Sequence, residues 1–571
     1  IEVVQDPREW PRYSGRRVAG VSGFGFGGTN AHVVVADFDP ADYDAAPAVE
    51  PAFEGVSTAA LPVTGLLPSR RKEAAGLLAD FLEGRDDADL IPVARSLAKR
   101  NHGRSAAVIQ AATTEEAVKR LRQVADGKIG PGIAVADAPT PMGPVFVYSG
   151  FGSQHRKMAK ELISRSPLFA RRMRELDEMV KFHTGWSMME IIDNDELTYD
   201  TENGQVTITA IQIAQTDLLA AAGITPAATM GMSMGEIAAA YGAGGLSAED
   251  CILVATARAR LMGEGEAMIA GTEQEGAMAV VELSREELAE FVEKHEQARG
   301  VEPAVYAGPG MTTVGGPAEP VQKLVEYLEG EGKFARLLKV KGAGHTSMLD
   351  PILGELHYEI SDLDPQPIHT PLYSTVDRGR VYTPGEVVHD AEYFLRCTRQ
   401  PVWFSEATGK QFDDGYRTFI EFSPNPVALM PLMNNSFAHN ASDSKLLFLL
   451  KRKEPVSQTL LSTLAELYVQ GADLNLKALA AGSRTPQDLA TVKAGARSPL
   501  PKVPGTQWNL QRHWTSARPS SGPAVDLPGT RVNLPDGRVV FSVPAEDVPS
   551  IALLAEAAAE ARTGGDAGQA T

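Results

Sequence analysis

The sequence predicts an α/β core on a parallel sheet, with a smaller βαββαβ unit inserted and a small α+β module in front. Three observations carry this. A strand, a Gly-flanked turn and a helix follow one another over 229–241. Strand, helix and strand alternate on either side of that turn, which implies right-handed parallel crossovers. Residues 277–340 run strand, helix, strand, strand, helix, strand, the ferredoxin-like succession.

The turn organises the rest. Gly231-Met232-Ser233-Met234-Gly235 is G-x-S-x-G between an apolar strand and an Ala-rich helix. Two glycines there let strand and helix approach, and Ser233 projects at the helix N-terminus, where backbone N–H groups and the helix dipole favour an oxyanion. A serine hydroxyl is a poor nucleophile alone and needs a base. Among 11 histidines, His345 has the best context, leaving the Gly342-Ala343-Gly344 turn between the insert and the resumed main sheet.

Composition bounds the partners. With 571 residues, 43% hydrophobic and 22% charged, the chain exceeds one core and should form several globular units. A net charge of -19 argues against nucleic acid or an anionic membrane as main partner. Of the basic runs, Arg70-Arg71-Lys72 and Lys451-Arg452-Lys453 are the clearest, and both read as solvated surface. Only Cys251 and Cys397 occur, which excludes a disulfide framework and a thiol metal site and fits a reducing, cytoplasmic setting. No apolar run is long enough for membrane insertion, and no basic, apolar leader opens the chain.

Taken in order, residues 1–38 hold a Gly-dense loop and a Val-rich strand, and 39–65 are a Pro/Ala/Asp-rich linker. Helices follow near 69–82 and 91–98, then a strand at 105–111 and a helix at 114–124 with Thr113 or Thr114 as cap. A strand from 144 runs into Gly150-Phe151-Gly152-Ser153-Gln154, helices occupy 166–182 and 207–219, and the helix 248–261 carries Arg258. Strands at 371–376 and 418–422 resume the sheet after the insert, followed by a strand at 446–450 and a helix at 456–470. An extended arm through Trp508 and Trp514 needs a surface to bury its indoles. A hairpin at 531–541 around Asp536-Gly537, a short helix from 549 and a Gly/Ala tail close the chain.

Five motifs resemble the malonyl-CoA:acyl carrier protein transacylases and the acyltransferase domains of polyketide synthases. They are Gly150-Phe151-Gly152-Ser153-Gln154, Gly231-Met232-Ser233-Met234-Gly235-Glu236, Arg258-Ala259-Arg260-Leu261-Met262, Gly344-His345 and Phe422-Ser423-Pro424-Asn425-Pro426. Gly25-Phe26-Gly27-Gly28-Thr29-Asn30-Ala31-His32 is similar to the end of a β-ketoacyl synthase, without that family's nucleophilic Cys, and His32 reads as structural. The resemblance implies a ketosynthase tail at 1–38 and a linker domain at 39–140. An α/β-hydrolase-like acyltransferase core follows at 141–440 with its ferredoxin-like insert at 277–341, then a further linker at 441–518 and a tail at 519–571.

It also implies that Ser233 attacks an acyl-CoA thioester while His345 takes its proton. The N–H groups of Met234 and Gln154 would form the oxyanion hole, and a carbonyl of the 423–425 loop, Asn425, would orient the imidazole. No bound cofactor is implied; acyl-CoA and the phosphopantetheine of an acyl carrier protein are substrates, and carrier and ketosynthase domains are partners. A bidentate guanidinium at Arg258 favours a carboxylated acyl group. Met232 stands where family members selecting malonyl or methylmalonyl usually have His or Gln, and Gly344 where they have Phe or Ser. Met232 with Gly342, Ala343 and Gly344 should open the pocket to a long α-alkylmalonyl unit, a combination similar to the mycobacterial condensing polyketide synthases of mycolic acid assembly. A malonyl- or methylmalonyl-specific acyltransferase, a serine hydrolase and an inactive scaffold are the competing readings.

Overall fold

The computed structural model describes residues 58–474 except 99, 101, 195, 339 and 341, together with 3, 5–37 except 13 and 26–27, 501–506, 530–534 and 537–542. The chain divides into two units, Ile1–Thr506 and Gln507–Thr571.

In the first unit, β1 (Val18–Phe24) and β2 (Asn30–Ala36) form an antiparallel hairpin. The Val run makes the expected strand, yet both faces stay exposed, with Phe24 at 82%. His32 is spent across this hairpin, its Nδ1 lying 2.8 Å from Ser22 Oγ.

β3 (Ala59–Gly65), β4 (Ser105–Ala111) and β5 (Ile133–Ala136) form an antiparallel sheet covered by helices Pro68–Leu82, Leu90–Leu97 and Thr114–Ala125. Residues 59–65, expected to end a linker, are therefore a strand. Ala59, Leu61 and Val63 alternate into a core with Leu78, Val93 and Leu121, and pairing to β4 satisfies the backbone. Thr113 caps its helix, accepting from Glu116 N at 3.2 Å. The other face of β4, through Ala106 and Val108, joins the main core beside Leu464 of helix Val456–Val469. Val503 of the extended arm packs on this module, and Ser96 Oγ donates to Pro501 O at 2.8 Å.

The central sheet begins with β6 (Val145–Tyr148) and β7 (Ala228–Gly231). An insert follows: β8 (Gly276–Val281), β9 (Glu302–Gly308), β10 (Met311–Pro317) and β11 (Ala335–Leu337) lie in the order β11-β8-β10-β9, all neighbours antiparallel. Helices Arg285–Lys294 and Ala318–Gly330 close its core on Val281, Leu288, Val314 and Leu324. The last strand stops at Leu337, short of the expected 340.

The chain then returns through β12 (Leu372–Tyr373), β13 (Val381–Tyr382), β14 (Thr418–Phe422) and β15 (Lys445–Phe448). The six-stranded order is β13-β12-β7-β6-β14-β15, parallel except for β13. Alternation divides the central strands between two cores. Phe146, Tyr148, Ile420 and Phe422 face helices Thr201–Ala221 and Ala248–Ile269, whereas Val145, Val147, Met230 and Phe419 face Phe404, Phe412 and Leu432. With both faces covered, the ligand-accessible edge is the one outside the strand C-termini. Among the described residues no helix is long and apolar enough to cross a membrane.

In the second unit, β16 (Thr530–Asn533) and β17 (Val539–Ser542) pair antiparallel, and Leu534 N donates to Arg538 O at 2.8 Å across the turn. The expected linker stretch 39–57, the arm at Trp508 and Trp514, the helix from 549 and the tail lie outside the described residues.

Candidate active site

Ser233 follows β7 at that C-terminal edge, one residue before Met234 opens helix Gly235–Ala243. Its φ is 57°, a left-handed conformation that disfavours any side chain. The flanking glycines have a steric cause: a Cβ on Gly231 would sit 2.2 Å from Glu236 N, and one on Gly235 2.0 Å from Tyr148 O. Beneath the turn Glu236 is fully buried. It accepts from Thr375 N at 2.9 Å and Tyr393 Oη at 3.2 Å, and burial pushes its pKa up to about 7. Thr375 Oγ1 lies 2.6 Å from the same carboxyl and 2.8 Å from the Gly231 carbonyl, tying β7 to the chain after β12.

The structure brings His345 to Ser233. Nε2 stands 2.6 Å from Ser233 Oγ, and Nδ1 stands 3.0 Å from the Gln400 carbonyl. A carbonyl only accepts, so Nδ1 carries the proton and Nε2 presents a lone pair to the hydroxyl. Burial, and then the nearby Arg258 cation, lower the imidazole pKa to about 3. The ring is therefore neutral across the physiological range, with Nε2 free to accept a proton.

Orientation by Asn425 is corrected here. Helix Ala391–Arg399 ends just before Gln400, whose carbonyl is left over and meets the imidazole. Asn425 is committed elsewhere, accepting from Arg452 N at 3.0 Å. No carboxylate contacts His345 among the described residues, so the arrangement is a pair oriented by backbone.

Arg258, on helix Ala248–Ile269, is 3% exposed. Nε donates to Thr398 Oγ1 at 3.2 Å and Nη1 to Gln205 Oε1. Among the described residues it has no acidic partner, and burial lowers its pKa. A buried cation with only neutral partners is costly unless a ligand anion completes it.

A cavity of about 220 Å³ joins these groups. Ser233, His345 and Arg258 line it with Met232, Gly342 and Gly344. Glu266 and Gln205, which sequence reading did not single out, also reach it, Glu266 accepting from Thr201 Oγ1 at 2.7 Å. Ala343 does not line it: its side chain is buried toward the insert, where a Cβ on Gly315 would lie 3.3 Å from it. Gln154 also stands off the cavity wall, which Gly150 and Phe151 form, and its Oε1 accepts from Gly152 N at 2.8 Å. Met234 does line it, and its N–H has no acceptor among the described residues.

A serine activated by a neutral imidazole, with a free helix-start N–H and a buried guanidinium in one cavity, can form and release an acyl ester. The comparisons agree with that chemistry. Residues 145–474 match the acyl transferase domain family, and the chain belongs to it. It is thus an acyltransferase domain of the type I polyketide synthase kind. It is 34% identical over 518 residues to a phenolphthiocerol/phthiocerol polyketide synthase of Mycobacterium tuberculosis (strain CDC 1551 / Oshkosh), covering 89% of this chain and 26% of that protein. It is 35% identical over 487 residues to a mycocerosic acid synthase-like polyketide synthase of Mycolicibacterium smegmatis, covering 82% and 22%. The chain thus spans about a quarter of the length of these relatives. The acyltransferase domain from module 8 of the salinomycin polyketide synthase superposes with a TM-score of 0.66 at 27% identity, covering 75% of this chain and 99% of that one.

Proposed function

We propose that this chain transfers a carboxylated acyl group from CoA to Ser233 and then to the phosphopantetheine thiol of an acyl carrier protein. The buried Arg258, without an acidic partner among the described residues and sharing a cavity with the Ser233–His345 pair, carries this reading. Ser233 Oγ attacks the thioester carbonyl as Nε2 of His345 takes its proton, and the oxyanion meets the Met234 N–H. The intermediate collapses with loss of the CoA thiolate, which receives the proton from His345. In the second half the carrier thiol loses its proton to His345, attacks the acyl ester and returns Ser233 Oγ with a hydrogen. CoA and phosphopantetheine enter as substrates, with no resident cofactor in any step. The carrier and ketosynthase domains belong to the same or a partner polypeptide.

The finer reading is a long α-alkylmalonyl substrate, as in mycolic acid assembly. Met232, Met262, Met278 and Leu338 make an adaptable apolar wall, and Gly344 leaves it thin, since a Cβ there would come no closer than 4.0 Å to Met262 Cε, whereas the Glu266 side chain already packs beside Gly342. The alkyl chain would leave the cavity past Gly344. A serine hydrolase is the weaker reading, since it gives Arg258 no task and the imidazole contacts no acid among the described residues. Rates of transfer to a carrier protein and to water from a carboxylated acyl-CoA test the choice: transfer should exceed hydrolysis, and hydrolysis of neutral esters outrunning transfer would favour the hydrolase.

A further inference from the structure

The basic run Lys451-Arg452-Lys453 has a place in the fold that its composition does not suggest. It follows β15, and β7, β6, β14 and β15 are adjacent and parallel, so the loops after all four strands share one edge. Ser233 leaves β7, Arg156 lies in the loop after β6, Asn425 in the loop after β14, and Arg452 after β15. Asn425 Oδ1 accepts from Arg452 N at 3.0 Å, and Val427 of the same loop lines the cavity. Glu161, on the helix that ends the loop after β6, accepts from Val456 N just beyond the basic run at 3.2 Å, so the segments after β6 and β15 meet.

Arg156, Arg452 and Lys453 are exposed and make no salt bridge among the described residues. The acids nearby are engaged: Glu454 pairs with Lys451 at 2.5 Å, and Glu161 accepts from Val456 N at 3.2 Å. Lys453 holds a φ of 68°, outside the conformation its side chain prefers. In a chain of net charge -19, three cations at one rim without a salt bridge among the described residues form a local positive field. Three strand steps separate β7 from β15, about 14 Å at ~4.8 Å per step. A pantetheine arm spans about as far as four or five extended residues, roughly 15 Å.

We propose that Arg156, Arg452 and Lys453 bind the phosphates of the CoA donor at the far end of its pantetheine arm while the thioester lies at Ser233. The inference rests on the acyltransferase reading above and adds to it a phosphate site outside the cavity. The phosphodiester of a carrier protein offers related chemistry, and the test separates the two sources.

The test compares the full chain with its R156A/R452A/K453A variant, using malonyl-CoA and the phosphate-free malonyl-pantetheine as donors. In the wild type, KM for malonyl-CoA should be at least tenfold below that for malonyl-pantetheine and should rise with salt. In the variant the two KM values should converge through a rise of about tenfold for malonyl-CoA alone, with kcat kept. An unchanged malonyl-CoA KM, an equal rise for both donors, or an effect confined to transfer onto the carrier protein would overturn the proposal. If no carboxylated acyl-CoA, malonyl or long α-alkylmalonyl, acylates the wild-type chain, the acyltransferase reading falls and this inference with it.

Discussion

Ser233 and His345 share the same left-handed backbone conformation, φ 57° and 60°, and their side chains meet at 2.6 Å. Two strained residues in one hydrogen-bonded pair mean that the surrounding fold holds both in place, each at about 1–3 kcal/mol. Removing the side chain should therefore separate stability from activity. Both S233A and S233G should lose acylation. In denaturant titrations S233G should be more stable than S233A by about 1 kcal/mol, because only glycine relieves the positive φ. Equal midpoints would contradict strain at this turn.

The pH profile of acylation should lack an acid limb near the ordinary histidine value. Burial, then Arg258, hold His345 neutral down to about pH 3, so the first step should persist well below pH 6. Replacing Arg258 by Gln removes one of the two causes, and the His345 titration followed by nitrogen NMR should move upward. A wild-type midpoint near 6.5 would rule out this environment.

Gly344 bounds the cavity with room beside it, since an added Cβ would come no closer than 4.0 Å to Met262 Cε. Its backbone is not left-handed, so Gly344→Phe is sterically admissible. The variant should keep malonyl-CoA acylation within a fewfold and lose long α-alkylmalonyl-CoA by a hundredfold or more. Equal losses for both thioesters would remove Gly344 from chain-length selection.

Glu236 links folding to pH. Its folded pKa of about 7 lies above the ordinary carboxylate value because of burial. The stability it contributes is therefore fully present below about pH 4.5 and is lost as pH rises through 7. Over that window the wild type should lose on the order of 3 kcal/mol relative to E236Q, which cannot ionise. Parallel stability curves for the two proteins would show that Glu236 does not titrate in this range.

How much of this was legible in the sequence depended on which atoms act. Ser233, Arg258 and His345 act through side chains whose type announces the chemistry, and their flanking glycines or helix mark the place. Gln400 acts through its carbonyl, which every residue possesses, so no residue type points to it, whereas Asn425 sits in a motif that draws attention. Gln205 and Thr398 act on Arg258 from helices that meet only in the fold. The strand Ala59–Gly65 was hidden by the Pro/Ala-rich stretch before it, although the alternation of Ala59, Leu61 and Val63 was the available signal. β12 and β13 have two residues each, too short for any periodicity.

The central claim is that Ser233, activated by His345, accepts acyl groups that carry a carboxylate for Arg258. Intact-protein mass spectrometry after incubation with carboxyacyl-CoA and with plain acyl-CoA of equal chain length tests it directly. One carboxyacyl adduct should form on the wild type and none on S233A or H345A, and R258A should lose carboxyacyl loading by about two orders of magnitude or more, the cost of an unpaired buried charge. Equal loading of both thioesters on the wild type, or an adduct that survives in S233A, would contradict the account.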